Sequence, residues 1–144
     1  MKLRRERTLL QAAVAAACVI PIGAACTGIA LGAEWLQPDP TTDMDSHFRY
    51  LSGLFLVLGL AFVTCIPGIE RKSGRFRLLA AMVIVGGLSR LLSLSEAGMP
   101  SPGHMTGLAV ELIVVPVLLG WQTRIAHLYR QRPDTASPAT AVQP

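Results

Sequence analysis

Residues 8 to 33 contain no charged side chain, and neither do residues 50 to 69. Residues 78 to 95 carry only Arg90, and residues 104 to 123 only Glu111. Each stretch approaches the ~20 apolar residues needed to cross a hydrocarbon core about 30 Å thick. Four of them in a 144-residue chain predict an all-α fold, an integral membrane four-helix bundle. Composition agrees: 51% of residues are hydrophobic and 15% charged, too few charges to cover a soluble domain of this size.

The formal net charge of +4 does not point to nucleic acid, because the basic residues are not interleaved with aromatics on one polar face. They sort by connection instead. Lys2, Arg4, Arg5 and Arg7 precede the first stretch; Arg71, Lys72, Arg75 and Arg77 separate the second from the third; Arg124, Arg130 and Arg132 follow the fourth. Positive residues collect on the cytoplasmic side of membrane proteins, so both termini are expected in the cytoplasm. Arg49 and Arg90 are left unexplained by that rule.

Helices are expected at about residues 8–33, 47–66, 76–95 and 105–126, forming one domain over 1–130. The tail 131–144, "QRPDTASPATAVQP", is rich in Pro, Ala, Ser and Thr and is expected to be disordered. Pro21 and Pro116 fall inside the first and fourth helices, where neighbouring helices can satisfy the freed carbonyls. The longest connection, "EWLQPDPTTDMDSHF", holds four acidic residues and is assigned to the outer face together with the turn "EAGMPSPGHM".

Cys18, Cys26 and Cys65 stand singly in apolar surroundings with no metal-ligand spacing, and read as small buried hydrophobes. The basic start also resembles a cleaved leader ending at a lipid-modified Cys26. The apolar pattern continues through "TGIALGA", which favours an uncleaved first span. Ala24, Gly28 and Gly32 repeat every four residues and are assigned to close helix packing. No metal and no other cofactor is expected.

Arg90 lies 14 residues beyond residue 76, about 21 Å along helix three, which leaves it ~9 Å below the outer face of a ~30 Å core. Glu111 lies 6 residues into helix four from the outer side, again about 9 Å deep. An isolated charge there costs roughly 2.5 to 3.5 kcal/mol on insertion scales. We therefore expect an Arg90–Glu111 ion pair facing the bundle interior. Gly86, Gly87 and Ser93 stand one turn from Arg90, and Gly107 one turn before Glu111, leaving small-residue space beside both charges. Arg49, with Asp45 one turn back and Ser52 and Gly53 one turn on, either snorkels to the outer interface or turns inward. In the second case Asp45, Arg49, Ser52, Arg90, Ser93, Glu96 and Glu111 ring one polar pocket. His47 and His104 flank its mouth.

The strings "FRYLSGLFLVLGL", "GGLSRLLSLSEAGMP" and "ELIVVPVLLGWQTR" carry a family resemblance. Over about residues 10 to 127 the chain resembles the bacterial membrane family catalogued as domain of unknown function 4345. The matching positions are Arg49, Gly53, Gly86, Gly87, Arg90, Ser93, Gly98, Pro100 and Glu111, with Ser89 where an alanine is usual. The resemblance implies a four-helix membrane fold in a bacterial inner membrane, more distantly similar to the DoxX-like proteins, and no established activity.

Three functions compete. The first is a binding or carrier module, in which an outer-leaflet pocket holds a small anionic molecule or lipid head group through Arg90. The second is a structural or accessory subunit, alone as a homo-oligomer or in a larger membrane complex, where the ion pair only fixes packing. The third is a membrane enzyme using Glu111 as proton acceptor, for which no Ser-His-Asp set or phosphate-binding Gly loop is present. The lipid bilayer is a partner under all three.

Overall fold

The computed structural model describes residues 1–131; the tail expected to be disordered lies, from residue 132 on, outside the described residues. Helix α1 spans Lys2–Leu31 and runs on through a 3-10 turn at Gly32–Trp35. Helix α2 spans Thr42–Val63, and a second 3-10 turn at Ile69–Arg71 leads to α3, Ser73–Ala97. Helix α4 spans Pro102–Arg130 and contains a π turn at Val110–Val114. Among the described residues there is no strand. All four helices are long and apolar enough to cross a membrane, which makes this a multi-pass membrane protein.

The helix ends follow local chemistry and extend beyond the apolar stretches. The Thr41 hydroxyl accepts a hydrogen bond from the Met44 N–H at 3.3 Å, so α2 starts five residues before the apolar pattern does. Pro102 starts α4, where its missing N–H has no partner to lose. Gly98, with φ of 91°, ends α3 in the left-handed region that favours glycine. The basic N-terminal segment is itself helical from Lys2.

Large apolar side chains such as Val57, Leu78, Val85, Leu92 and Val117 point outward. On a protein in water they would form an aggregating surface; around four spans they are the lipid-facing belt. The buried core lies toward the end of the bundle where the basic residues gather. Leu10, Val14 and Cys18 of α1 meet Cys65 and Ile69 of the connection, Phe76 and Leu79 of α3, and Leu118 and Ile125 of α4. Phe62 meets Phe76 edge to face, with ring centroids 5.4 Å apart.

Polar ties reinforce this basic end. The fully buried Gln122 donates from Nε2 to the Ile69 carbonyl at 2.8 Å and to Ser73 Oγ at 2.9 Å. Gln11 donates to the Ile66 carbonyl at 2.7 Å, Arg7 pairs with Glu70 at 3.2 Å, and Arg124 with Glu6 at 2.8 Å. Burial pushes the thiol of Cys65, in the connection after α2, above its ordinary pKa. These bonds fasten α1 and α4 to the connection between α2 and α3, and α4 to the start of α3 and to α1.

Helix α1 packs along α2 and also contacts α4, while α3 packs mainly on α4. The consecutive helices α2 and α3 touch little. Across the bundle the order is therefore α2, α1, α4, α3. That order decides which of the polar residues meet.

Candidate functional site

Arg90 and Glu111 are brought together by two backbone features. The first is Gly87, one turn before Arg90. A Cβ there would lie 2.9 Å from Glu111 Cβ and 2.8 Å from Leu112 Cδ2, so only glycine lets α3 approach α4 this closely. The second is the π turn. Pro116 offers no N–H, and a proline ring collides with the carbonyl four residues back, here Leu112. The turn before it is wider than an α turn, and the Val115 N–H bonds the Val110 carbonyl five residues back. Such π turns recur at functional sites. This one carries Glu111 on its inner side.

The two charges touch at 3.4 Å, Arg90 Nε to Glu111 Oε2. Their surroundings differ: the Glu111 side chain is 8% exposed and that of Arg90 42%. The contact lacks hydrogen-bond alignment, and the buried Oε2 has no hydrogen-bond donor. The carboxylate thus balances the charge of Arg90 without occupying the five N–H donors of its guanidinium. Gly107 borders the guanidinium, and a Cβ there would stand 3.4 Å from Arg90 Nη1, within ordinary contact.

Beside the guanidinium lies a cleft of ≈ 80 Å³. Arg90, Ser93 and Leu94 of α3 form one wall, His104 and Leu108 of α4 the other, and Gly98 and Pro100 close the end between the helices. The His104 ring is held by Ser101, whose Oγ is 2.9 Å from Nδ1. Glu96 sits exposed near the end of α3 and does not line the cleft.

Asp45, Arg49 and Ser52 are not part of this cleft. They face α1, on the other side of the bundle. Arg49 Nε donates to Asp45 Oδ2 at 2.8 Å, and Arg49 Nη1 donates to the carbonyls of Ile29 and, at 3.4 Å, Ala30. Asp45 Oδ1 accepts from the Ala33 N–H at 2.8 Å. The guanidinium caps the last turn of α1, a third course beyond snorkelling and turning into the pocket. Gly32, with φ of 68°, lies directly under this pair, and a Cβ there would collide with Asp45 Oδ1. Buried Ser52 packs on Gly28.

Of the other glycines assigned to packing, Gly53 and Gly86 meet nothing within 4 Å. Gly59, which sequence reasoning passed over, receives Ile22 of α1 at 2.8 Å from where its Cβ would be. Gln122 was also missed, although a glutamine inside an apolar run is itself a signal for a buried hydrogen bond. Among the described residues no group of three or more His, Cys, Asp or Glu is placed to hold a metal.

Comparison with curated proteins and with solved structures finds no match, so the expected likeness to DoxX-like proteins is not shown. One family model does match, over residues 9–122, a span that takes in all four helices and both charges of the Arg90–Glu111 contact. The chain belongs to the family described as Domain of unknown function (DUF4345).

Proposed function

We propose that the chain is a multi-pass protein of a bacterial inner membrane, with both termini in the cytoplasm, and that its outer-leaflet cleft binds a small anionic molecule or lipid head group at Arg90. The orientation is supported by the basic residues, which fall at the helix ends on one side of the bundle. The binding reading rests on one observation. Arg90 lines a cleft with its side chain 42% exposed, and Glu111 meets it at a single nitrogen, out of hydrogen-bond alignment.

Within a bilayer, N–H donors need acceptors, and the guanidinium fork matches carboxylate and phosphate. Size narrows the occupant. At ≈ 80 Å³ the cleft holds one small anionic group, with the rest of a larger ligand left outside it. The test is native mass spectrometry of the protein extracted from its own membranes. Wild type should retain an anionic adduct that Arg90→Gln loses; identical spectra, or a bare wild type, refute the reading.

A second reading has its own observation. Gly87 presses α3 against Glu111 and Leu112, so the pair also sits where the two helices cross and can fix their packing. Under that reading the protein is an accessory part of a membrane complex. The charge-swapped double variant Arg90→Glu with Glu111→Arg then restores both assembly and activity of the complex, whereas an anion site would not survive moving the donor fork to α4.

A further inference from the structure

Resting on the anion-binding reading above, we propose that His104 is the second side chain to contact the bound group, and that the cleft selects a singly charged oxyanion, a carboxylate or phosphodiester. His104 faces Arg90 across the cleft from the other helix. Its ring is already oriented, because Ser101 Oγ stands 2.9 Å from Nδ1 just before the first turn of α4. We assign the Ser101 hydroxyl as donor to Nδ1, which puts a ring proton on Nε2. That nitrogen is then a donor left free for a ligand. A donor from α4 and the guanidinium of α3 bracket one space of ≈ 80 Å³.

Charge selects among oxyanions. Glu111 lies 3.4 Å from Arg90 and offsets its positive charge, so each negative charge brought into the cleft is less welcome than the last, and a dianion is disfavoured against a monoanion. Glu96, the acidic residue of α3, is exposed and adds only negative charge. Leu94 and Leu108 complete the walls, so the atoms next to the charged head are apolar in a carboxylate or a phosphodiester that fits. Both chemistries occur on small solutes and on lipids.

The test uses the full chain in phosphatidylcholine nanodiscs with two probes, acetate in solution and phosphatidylglycerol added to the bilayer. Acetate binding is read as a rise in thermal unfolding midpoint, and phosphatidylglycerol binding as lipid retained in native mass spectra. His104→Ala should weaken binding of whichever probe wild type takes by about tenfold or more, the loss of one hydrogen bond to a charged group. His104→Gln, which keeps an N–H donor, should recover most of it, and Ser101→Ala, which frees the ring, should fall between. Binding of acetate assigns a soluble ligand, and binding of phosphatidylglycerol alone a lipid. If wild type binds and Arg90→Gln does not, while His104→Ala binds like wild type, the role of His104 is overturned and the Arg90 site stands. If wild type binds neither probe, both fall.

Discussion

Neighbouring glycines in α3 should respond differently to one added methyl group. At Gly87 an alanine Cβ would stand 2.9 Å from Glu111 Cβ and 2.8 Å from Leu112 Cδ2. Comfortable carbon contacts begin near 3.5 Å, so α3 and α4 must part locally by roughly 0.6 to 1 Å. Glu111 Cβ is fixed to its backbone and cannot swing aside. Overpacking of this kind costs about 1–3 kcal/mol. Alanine's helix preference over glycine, about 0.8–1 kcal/mol, acts the other way. Little of that preference is recovered, because spans that have come apart within a bilayer stay helical. The expected net loss for Gly87→Ala is about 1–2 kcal/mol. At Gly86 nothing lies within 4 Å and the same helical reference leaves little preference to gain, so Gly86→Ala should be neutral to within about 0.5 kcal/mol. Equilibrium unfolding in mixed micelles, followed by circular dichroism, measures both. Gly87→Ala as stable as wild type, or an equal loss at both positions, refutes the close approach of α3 to the π turn.

Two further outcomes follow from the same geometry. Arg90→Ala and Glu111→Ala should each destabilise the bundle by about 1–3 kcal/mol, below the range for fully buried pairs because Arg90 is 42% exposed, and the double variant should cost less than the sum; a coupling near zero in the double-mutant cycle refutes the pair. For orientation, a cysteine placed at Thr42 should be labelled by an impermeant maleimide added outside intact cells and one at Ser73 should not, since α2 starts and α3 starts at opposite ends of the bundle; the reverse pattern overturns the proposed topology.

The spans were legible because lipid leaves a chain few choices: a long charge-free stretch must satisfy its backbone internally, and a helix does so. The contact of Arg90 with Glu111 was legible for a related reason, since counting residues along two antiparallel helices gives depth. Lateral order is a different matter. Depth alone could not tell that α2 borders α1 and not α3, and so Arg49 was open to two courses when its partners were the carbonyls of Ile29 and Ala30. The i, i+4 spacing did mark Asp45 as its neighbour. The π turn at Val110–Val114 was hidden as well. Pro116 was visible in the sequence, but whether a proline kinks a helix or widens the turn before it depends on the helix packed against it, here α3 at Gly87.

The cap on α1 joins it to α2. The last carbonyls of a helix have no partner within it, and in hydrocarbon no water supplies one. Here the donor comes from Arg49, in the next helix, while the carboxylate of Asp45 holds the Ala33 N–H of the exit turn. Neither bond exists until α2 has come alongside. The last turn of α1 is thus completed by side chains of α2, and at this end the two helices close as one hairpin.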